Sequence, residues 1–196
     1  SALSDKNGFI IETYITSGNI HDSISFAGLN ANYKNNPLFS ETKLYCLDLG
    51  YTSPAVAKTI IDSGKEILTP YKRPMTKKGF FKKYDYVYDE KLNGYLCPNN
   101  QLLKYSTTNK NGYREYKSCG EVCANCPFLN KCTTSKNHVK VITEHVWNKY
   151  LLDAEEIRYR LGSKEIYAKR KETIERCFAD GKENFGLRFT RYRGLE

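Results

Sequence analysis

Asp48 follows the apolar run Lys43–Leu47 directly and stands two residues before Gly50. A carboxylate at the end of a strand, beside a glycine, projects a hard oxygen ligand into a cleft, as two-metal phosphoryl-transfer sites require. The same Asp-Leu-Gly string also makes an ordinary turn. A second carboxylate, Glu175, lies far along the chain in a basic helical stretch. On one continuous helix, Tyr167, Lys171, Glu175 and Lys182 fall within an arc of about 80° at roughly 100° per residue, with Ile174 and Phe178 on the same side. Glu175 is then expected at the border of a buried face beside cations, or on a solvated face with i,i+4 pairs.

Cysteine supplies a third kind of chemistry. Cys123, Cys126 and Cys132 form a C-x2-C-x5-C string, with Cys97 about one hairpin upstream. Four thiolates make a closed tetrahedral zinc site able to staple a segment with little apolar core. An upstream cysteine before this string also resembles the [4Fe-4S] staple of some DNA-processing nucleases. Cys119 is the spare or displaces Cys97, and Cys46 and Cys177 are expected as packed core residues.

These residues need elements to position them. The run Gly8–Ile15 reads as a strand, and Asp22–Tyr33 as a helix with His21 or Asp22 at its cap and Ile24, Phe26, Leu29 and Tyr33 buried. Lys43–Leu47 reads as a central strand. Ser53-Pro54 opens a helix that buries Val56, Ile60 and Ile61, and Lys65–Tyr71 is another short strand. Strand and helix thus alternate as in an α/β sheet. From Tyr71 the pattern becomes β-like: Tyr84, Tyr86 and Tyr88 alternate, and Asn93-Gly94 and Asn111-Gly112 signal hairpins. Val139–Glu144 is a further strand, and Trp147–Phe185 is largely helical with a break near Gly162. The expected divisions are 1–70 and 146–196 for a core and 71–145 for an insertion.

The chain has 196 residues, with Lys and Arg exceeding Asp and Glu by 31 to 22. A net charge of +9 points to a polyanionic partner. Eleven basic against four acidic side chains fall between Tyr71 and Ser118, together with eight tyrosines. Interleaved basic and aromatic residues suit DNA backbone and stacking contacts, while lysines also protect exposed sheet edges. No stretch is long and apolar enough for a membrane span, no signal peptide is evident, and a cytoplasmic location is expected. Ser1 at the start and Leu195-Glu196 at the end, the latter resembling a cloning scar, suggest a fragment.

Several strings together resemble DDE transposases of bacterial insertion sequences. Tyr167, Arg170, Glu175 and Lys182 are similar to their carboxyl-terminal signature, and Asp48-Leu49-Gly50-Tyr51 to their second-aspartate motif. Ser17-Gly18-Asn19-Ile20-His21-Asp22-Ser23 is similar to their glycine, asparagine, histidine, aspartate turn, and Arg191-Tyr192-Arg193-Gly194 to the segment after the helix. Two departures stand out. Arg170 and Glu175 are separated by four residues where the family has three, a spacing that Lys171 keeps. The family's first aspartate lies upstream of this sequence, and Asp5, in a polar turn, is a poor substitute, which implies a fragment inactive by itself.

The resemblance implies an α/β, RNase H-like mixed sheet flanked by helices, with a β-rich, cysteine-stapled insertion. Asp48 and Glu175 would hold Mg²⁺ or Mn²⁺, and Tyr167, Arg170 or Lys171, and Lys182 would contact double-stranded DNA near the scissile phosphate. His21 and Asp22 would mainly shape the turn beside the site. The implied activity is metal-dependent strand cleavage and transfer at element ends, carried out by a possible homodimer. A non-catalytic DNA-binding remnant or domesticated relative, and an RNase H-like nuclease with another substrate, are the competing readings.

Overall fold

A computed structural model describes residues 1–73 and 75–189. The chain divides into two compact units, one built from Ser1–Lys72 with Lys149–Glu196, the other from Arg73–Asn148.

The first unit begins with a hairpin. β1 (Ala2–Ser4) pairs antiparallel with β2 (Ile10–Thr13). The turn between them is closed by Asp5, whose carboxylate accepts from the Asn7 and Phe9 amides at 2.9 and 2.8 Å. α1 (Asp22–Tyr33) is capped by His21, whose Nδ1 accepts from the Ser23 amide. Its buried face is Ser25, Phe26, Leu29, Asn30 and Tyr33, a stripe at i, i+1, i+4, i+5 and i+8. That register leaves Ile24 off the face and 63% exposed, against expectation. A short helix that the sequence pattern misses, α2 (Leu38–Glu41), then leads into β3 (Leu44–Cys46).

α3 (Pro54–Ile61) starts as its sequence demands: Pro54 occupies the first turn, and Ser53 Oγ accepts from the Val56 amide, a cap worth about 1 kcal/mol. It carries the chain to β4 (Glu66–Leu68), which runs parallel to β3. The core gathers Phe26 and Tyr33 from α1, Tyr45 and Leu47, Val56, Ala57 and Ile60 from α3, Ile67, and Ala154 from a later helix. Edge-on aromatic contacts of Phe26 and Tyr33 with Tyr45, at 6.2 and 6.3 Å between ring centres, tie α1 to β3.

The expected single mixed sheet is not present among the described residues: β1–β2 and β3–β4 are separate two-stranded ladders. The unit is mixed α/β, but β2 is not hydrogen-bonded to β3 among the described residues.

The carboxyl-terminal part of this unit also departs from one regular rod. α6 (Asn148–Tyr159) ends before Gly162, whose φ of +87° lies in the left-handed region open to glycine. α7 (Ser163–Ala168) passes into a 3₁₀ turn over Lys169–Lys171, and α8 (Ile174–Asn184) starts only after Thr173 leaves helical geometry. The arc expected for Tyr167, Lys171, Glu175 and Lys182 therefore does not apply, because they do not share one helix. The Arg191–Gly194 string lies outside the described residues.

The second unit is one five-stranded antiparallel meander: β5 (Val87–Asp89), β6 (Gly94–Leu96), β7 (Leu102–Thr108), β8 (Tyr113–Lys117) and β9 (Val141–His145). Between β8 and β9 lie two short helices, α4 (Gly120–Ala124) and α5 (Leu129–Cys132). Both hairpin signals sit at turns, with Asn93 at φ +44° and Gly112 at φ +78°. Tyr84 differs from expectation: it falls in a 3₁₀ turn over Lys83–Asp85, and the paired strand covers only Val87–Asp89.

Candidate functional site

Strand alternation decides which tyrosines of the second unit can meet a partner. Across β7 and β8, Tyr105 faces Tyr116, and the next pair is Lys104 opposite Lys117. Side chains alternate between faces, so tyrosine and lysine separate to opposite sides of the sheet. Tyr86, Tyr95 and Tyr116 are buried with Leu103 and Ile142. Tyr95 and Tyr116 meet edge-on at 5.0 Å, with Tyr88 and Tyr105 each 5.9 Å from Tyr116. Three of the eight interleaved tyrosines are thus core residues, correcting their reading as stacking residues. The exposed side keeps Lys104, Lys117 and Tyr113.

The first unit contains a cleft of about 1360 Å³ lined by Asp48, Glu175, Tyr167, Arg170 and Lys182, and also by Asp22. Asp48, two residues past β3, caps the following 3₁₀ turn, its Oδ1 accepting from the Gly50 amide at 2.9 Å. It serves the turn and lines the cleft together. Asp22, at the start of α1, comes to the same point. A Cβ on Gly50 would stand 2.5 Å from Asp22 Oδ2 and 3.2 Å from Asp48 Oδ1. Gly50 is therefore what lets two carboxylates approach one backbone position. Sequence reasoning gave Asp22 mainly a turn-shaping part. Its position in the Asn19-Ile20-His21-Asp22 string is the signal, and its nearness to Asp48 arises from packing of α1 against the 3₁₀ turn.

Arg170 ties this end of the cleft to Glu175. Its guanidinium stands 3.6 Å from Glu175 Oε1 and donates to Tyr167 Oη at 3.0 Å. Its side chain is 14% exposed, whereas that of Glu175 is 50% exposed, so Glu175 lies at the cleft's open side, and screening by solvent weakens this pair. Lys171 is exposed and lies outside the cleft lining. The extra residue between Arg170 and Glu175 is taken up by the 3₁₀ turn and Thr173, and Arg170, not Lys171, reaches the site. Lys182 lines the cleft from an exposed position.

The acids and phenols register one another. Burial pushes the Tyr167 hydroxyl up, opposed by Arg170 and reinforced by the charges of Cys46 and Asp48. Burial also raises Tyr51, opposed by its hydrogen bond with Ser1, while Asp22 and Asp48 reinforce the rise. The Cys46 thiol, half-buried in the lining of the cleft, is pushed up to about 11 by burial against the opposing charge of Arg170. Cys46 and Cys177 are both half-buried and not fully packed; the Cys177 thiol donates to the Gly8 carbonyl at 3.2 Å.

The four named cysteines, Cys97, Cys123, Cys126 and Cys132, line one small pocket of the second unit, about 20 Å³ in volume. Cys119 is exposed and outside it. Each sulfur has its own hydrogen-bond partner: the Gln101 amide for Cys97, Ser118 Oγ for Cys123, Asn99 Nδ2 for Cys126 and Tyr86 Oη for Cys132. Among the described residues no three His, Cys, Asp or Glu side chains are grouped as ligands for one ion. The expected tetrahedral thiolate set is thus not drawn together, each sulfur keeping a partner of its own. Asp22 and Asp48 draw near over Gly50, but among the described residues the cleft carboxylates are not grouped as ligands for one ion.

Residues 96–196, just over half of the chain, match the family model described as the transposase DDE domain. The match includes Glu175 and the four pocket cysteines and leaves out Asp22 and Asp48. No curated protein and no solved structure matches. Among the described residues no helix is long and apolar enough to cross a membrane.

Proposed function

The chain belongs to the transposase DDE domain family, and from that premise we propose that the cleft of the first unit carries out metal-dependent cleavage and transfer of DNA strands. The observation that supports this most is that Asp48 and Glu175, remote in sequence, line one cleft with Tyr167, Arg170 and Lys182. The hard oxygen donors of Asp48, Glu175 and Asp22 suit Mg²⁺ or Mn²⁺. When bound, such ions activate a water or 3′-hydroxyl for in-line attack on a phosphodiester and stabilise the departing oxygen.

The chain's own residues supply the rest. The Gly50 amide fixes the Asp48 carboxylate, and Asp22 adds negative charge that favours a divalent cation over a monovalent one. Arg170 orients the Tyr167 phenol and holds Glu175 when no substrate is present; a DNA phosphate competes for the same guanidinium, with the fork geometry that favours arginine over lysine. Lys182, exposed at the cleft, offsets charge on the incoming backbone. The RNase H-like topology and the division of labour between core and insertion belong to this same reading, as does a soft-metal site, zinc, in the thiol pocket.

With Asp22 as its third carboxylate the cleft is expected to act in this chain in spite of the missing upstream aspartate, and the test is Mn²⁺ binding and plasmid nicking by the full chain. Glu175→Gln and Asp48→Asn should each weaken Mn²⁺ binding, read by paramagnetic resonance, and lower nicking by at least about 10²-fold. Unchanged Mn²⁺ affinity in both variants would remove the cleft from the chemistry. DNA binding without nicking in the unaltered chain, at any Mn²⁺ concentration, would favour the DNA-holding module that the basic second unit could supply alone.

A further inference from the structure

We infer that Arg170 is a positioning residue for Glu175: in the DNA-free chain its guanidinium keeps that carboxylate away from the Asp22–Asp48 pair, and a DNA phosphate that claims the guanidinium releases Glu175 to complete the metal centre. The inference rests on the proposed reading of the cleft as a metal-dependent site and adds the order in which its parts come together.

Two of the three acids already stand together. A Cβ on Gly50 would lie 2.5 and 3.2 Å from the Asp22 and Asp48 oxygens, and a Mg²⁺-like ion needs only one or two carboxylates where a substrate phosphate supplies further oxygens. Glu175 is not with them: among the described residues no three acidic, histidine or cysteine side chains are grouped as ligands for one ion. Its Oε1 stands instead 3.6 Å from the Arg170 guanidinium, on a half-exposed side chain. Exposed side chains hop between rotamers within nanoseconds, so this carboxylate can change partners while the backbone of α8 stays in place.

Arg170 is firmly placed but loosely paired. Its Nη1 donates to Tyr167 Oη at 3.0 Å, and its guanidinium lies over the Tyr167 ring, 5.4 Å from the ring centre. The contact with Glu175 is longer than a hydrogen bond, and Arg170 Nε is buried without a hydrogen-bond partner among the described residues. The fork thus keeps donors unused. A phosphate brings several anionic oxygens and accepts from a guanidinium in two-pronged geometry, whereas Glu175 offers one oxygen at 3.6 Å. The exchange favours phosphate, and the carboxylate set free keeps its charge for a divalent cation. Arg170 and the cation compete for the same carboxylate, so each weakens the other's hold on it until DNA occupies the guanidinium.

Such competition has a sign that a merely structural residue would not show. In Mn²⁺ titrations of the DNA-free full chain, read by paramagnetic resonance, Arg170→Met should bind Mn²⁺ about fivefold more tightly, and the gain should vanish where Glu175→Gln is already present. In metal-free buffer with chelator, Glu175→Gln should tighten binding of a double-stranded oligonucleotide about threefold, and Glu41→Gln, at an exposed carboxylate elsewhere in the cleft lining, should change it less than about 1.5-fold. Unchanged or weaker Mn²⁺ binding in Arg170→Met would overturn the withholding role. So would an equal gain in the Glu175→Gln background, because the guanidinium would then act through its charge on the whole cleft. Mn²⁺ binding indifferent to Asp48→Asn would instead remove the metal centre on which the inference rests. Where Arg170→Met does not fold, the DNA measurement decides alone, since Glu175 is half exposed and Gln keeps its shape: equal DNA affinity with Glu and Gln at this position would overturn the proposal.

Discussion

The unit formed by Ser1–Lys72 and Lys149–Glu196 holds eighteen basic and sixteen acidic residues, while Arg73–Asn148 holds thirteen basic and six. Most of the chain's surplus charge thus belongs to the unit without the carboxylate cleft. The two also differ in how they build a core. The first buries mainly aliphatic and aromatic residues between helices and a parallel strand pair; the second buries three tyrosines on one face of a meander. The cleft's carboxylates and most of the surplus positive charge thus lie on separate scaffolds. On the proposed reading, a strongly positive field around Asp48 and Glu175 would compete with the divalent cation that the cleft would hold.

The largest effect that could break this comparison lies in the tyrosine core. Tyr116→Ala should cost the second unit about 3–5 kcal/mol, as other aromatic truncations in cores do. Tyr113→Ala, on the exposed side, should cost less than about 1 kcal/mol. Amide exchange of β7 and β8 measured on the full chain separates the two, and equal costs would contradict the assignment of faces. Next comes the cleft. Arg170→Met should reduce DNA nicking by about 10²-fold and Lys171→Met by less than about threefold; the reverse order would restore the spacing that the family resemblance suggested.

A smaller effect sharpens the role of the basic unit. Lys104 and Lys117 stand opposite each other across antiparallel strands, an unfavourable like-charge pair that Glu115, 3.2 Å from Lys117 Nζ, offsets in part and a bound anion would relieve further. Replacing both by Gln should leave stability unchanged or slightly raised. If DNA lies on this face, it should also flatten the salt dependence of binding by about two counterions. An unaltered slope would place the DNA elsewhere.

The smallest effect is alkaline. The Cys46 thiol has an ordinary value of 9.0 and is pushed up to about 11 in the folded chain. Because the folded state favours the neutral thiol, its contribution is complete below pH 9.0, then falls and is lost as pH rises through about 11. Alkylation of Cys46 should accordingly lag that of exposed Cys119 across this window, and equal rates would show that Cys46 is not shielded.

Local signals were legible where local chemistry decides. Ser53-Pro54 announced α3, Asn93-Gly94 and Asn111-Gly112 announced their turns, and His21 announced the cap of α1, each through a backbone preference acting over a few residues. The five-stranded sheet was foreshadowed by alternation, but which tyrosines turned inward was not, since period two leaves both faces open until one is covered. The continuous carboxyl-terminal helix failed at residues 169–173, where nothing as strong as Gly or Pro marks the break.

By itself the sequence determined the chemistry on offer: carboxylates at Asp48 and Glu175, a thiol string from Cys97 to Cys132, a tyrosine, arginine and lysine set near the carboxyl end, and an excess of positive charge. Tertiary packing alone decided that Asp22 stands beside Asp48 over Gly50, that Arg170 and not Lys171 reaches the cleft, and that Tyr105 and Tyr116 face away from Lys104 and Lys117. The physical reason is range. Caps and turns are settled by neighbours along the chain, whereas the meeting of distant carboxylates depends on how α1, β3 and α8 pack, which no short spacing encodes.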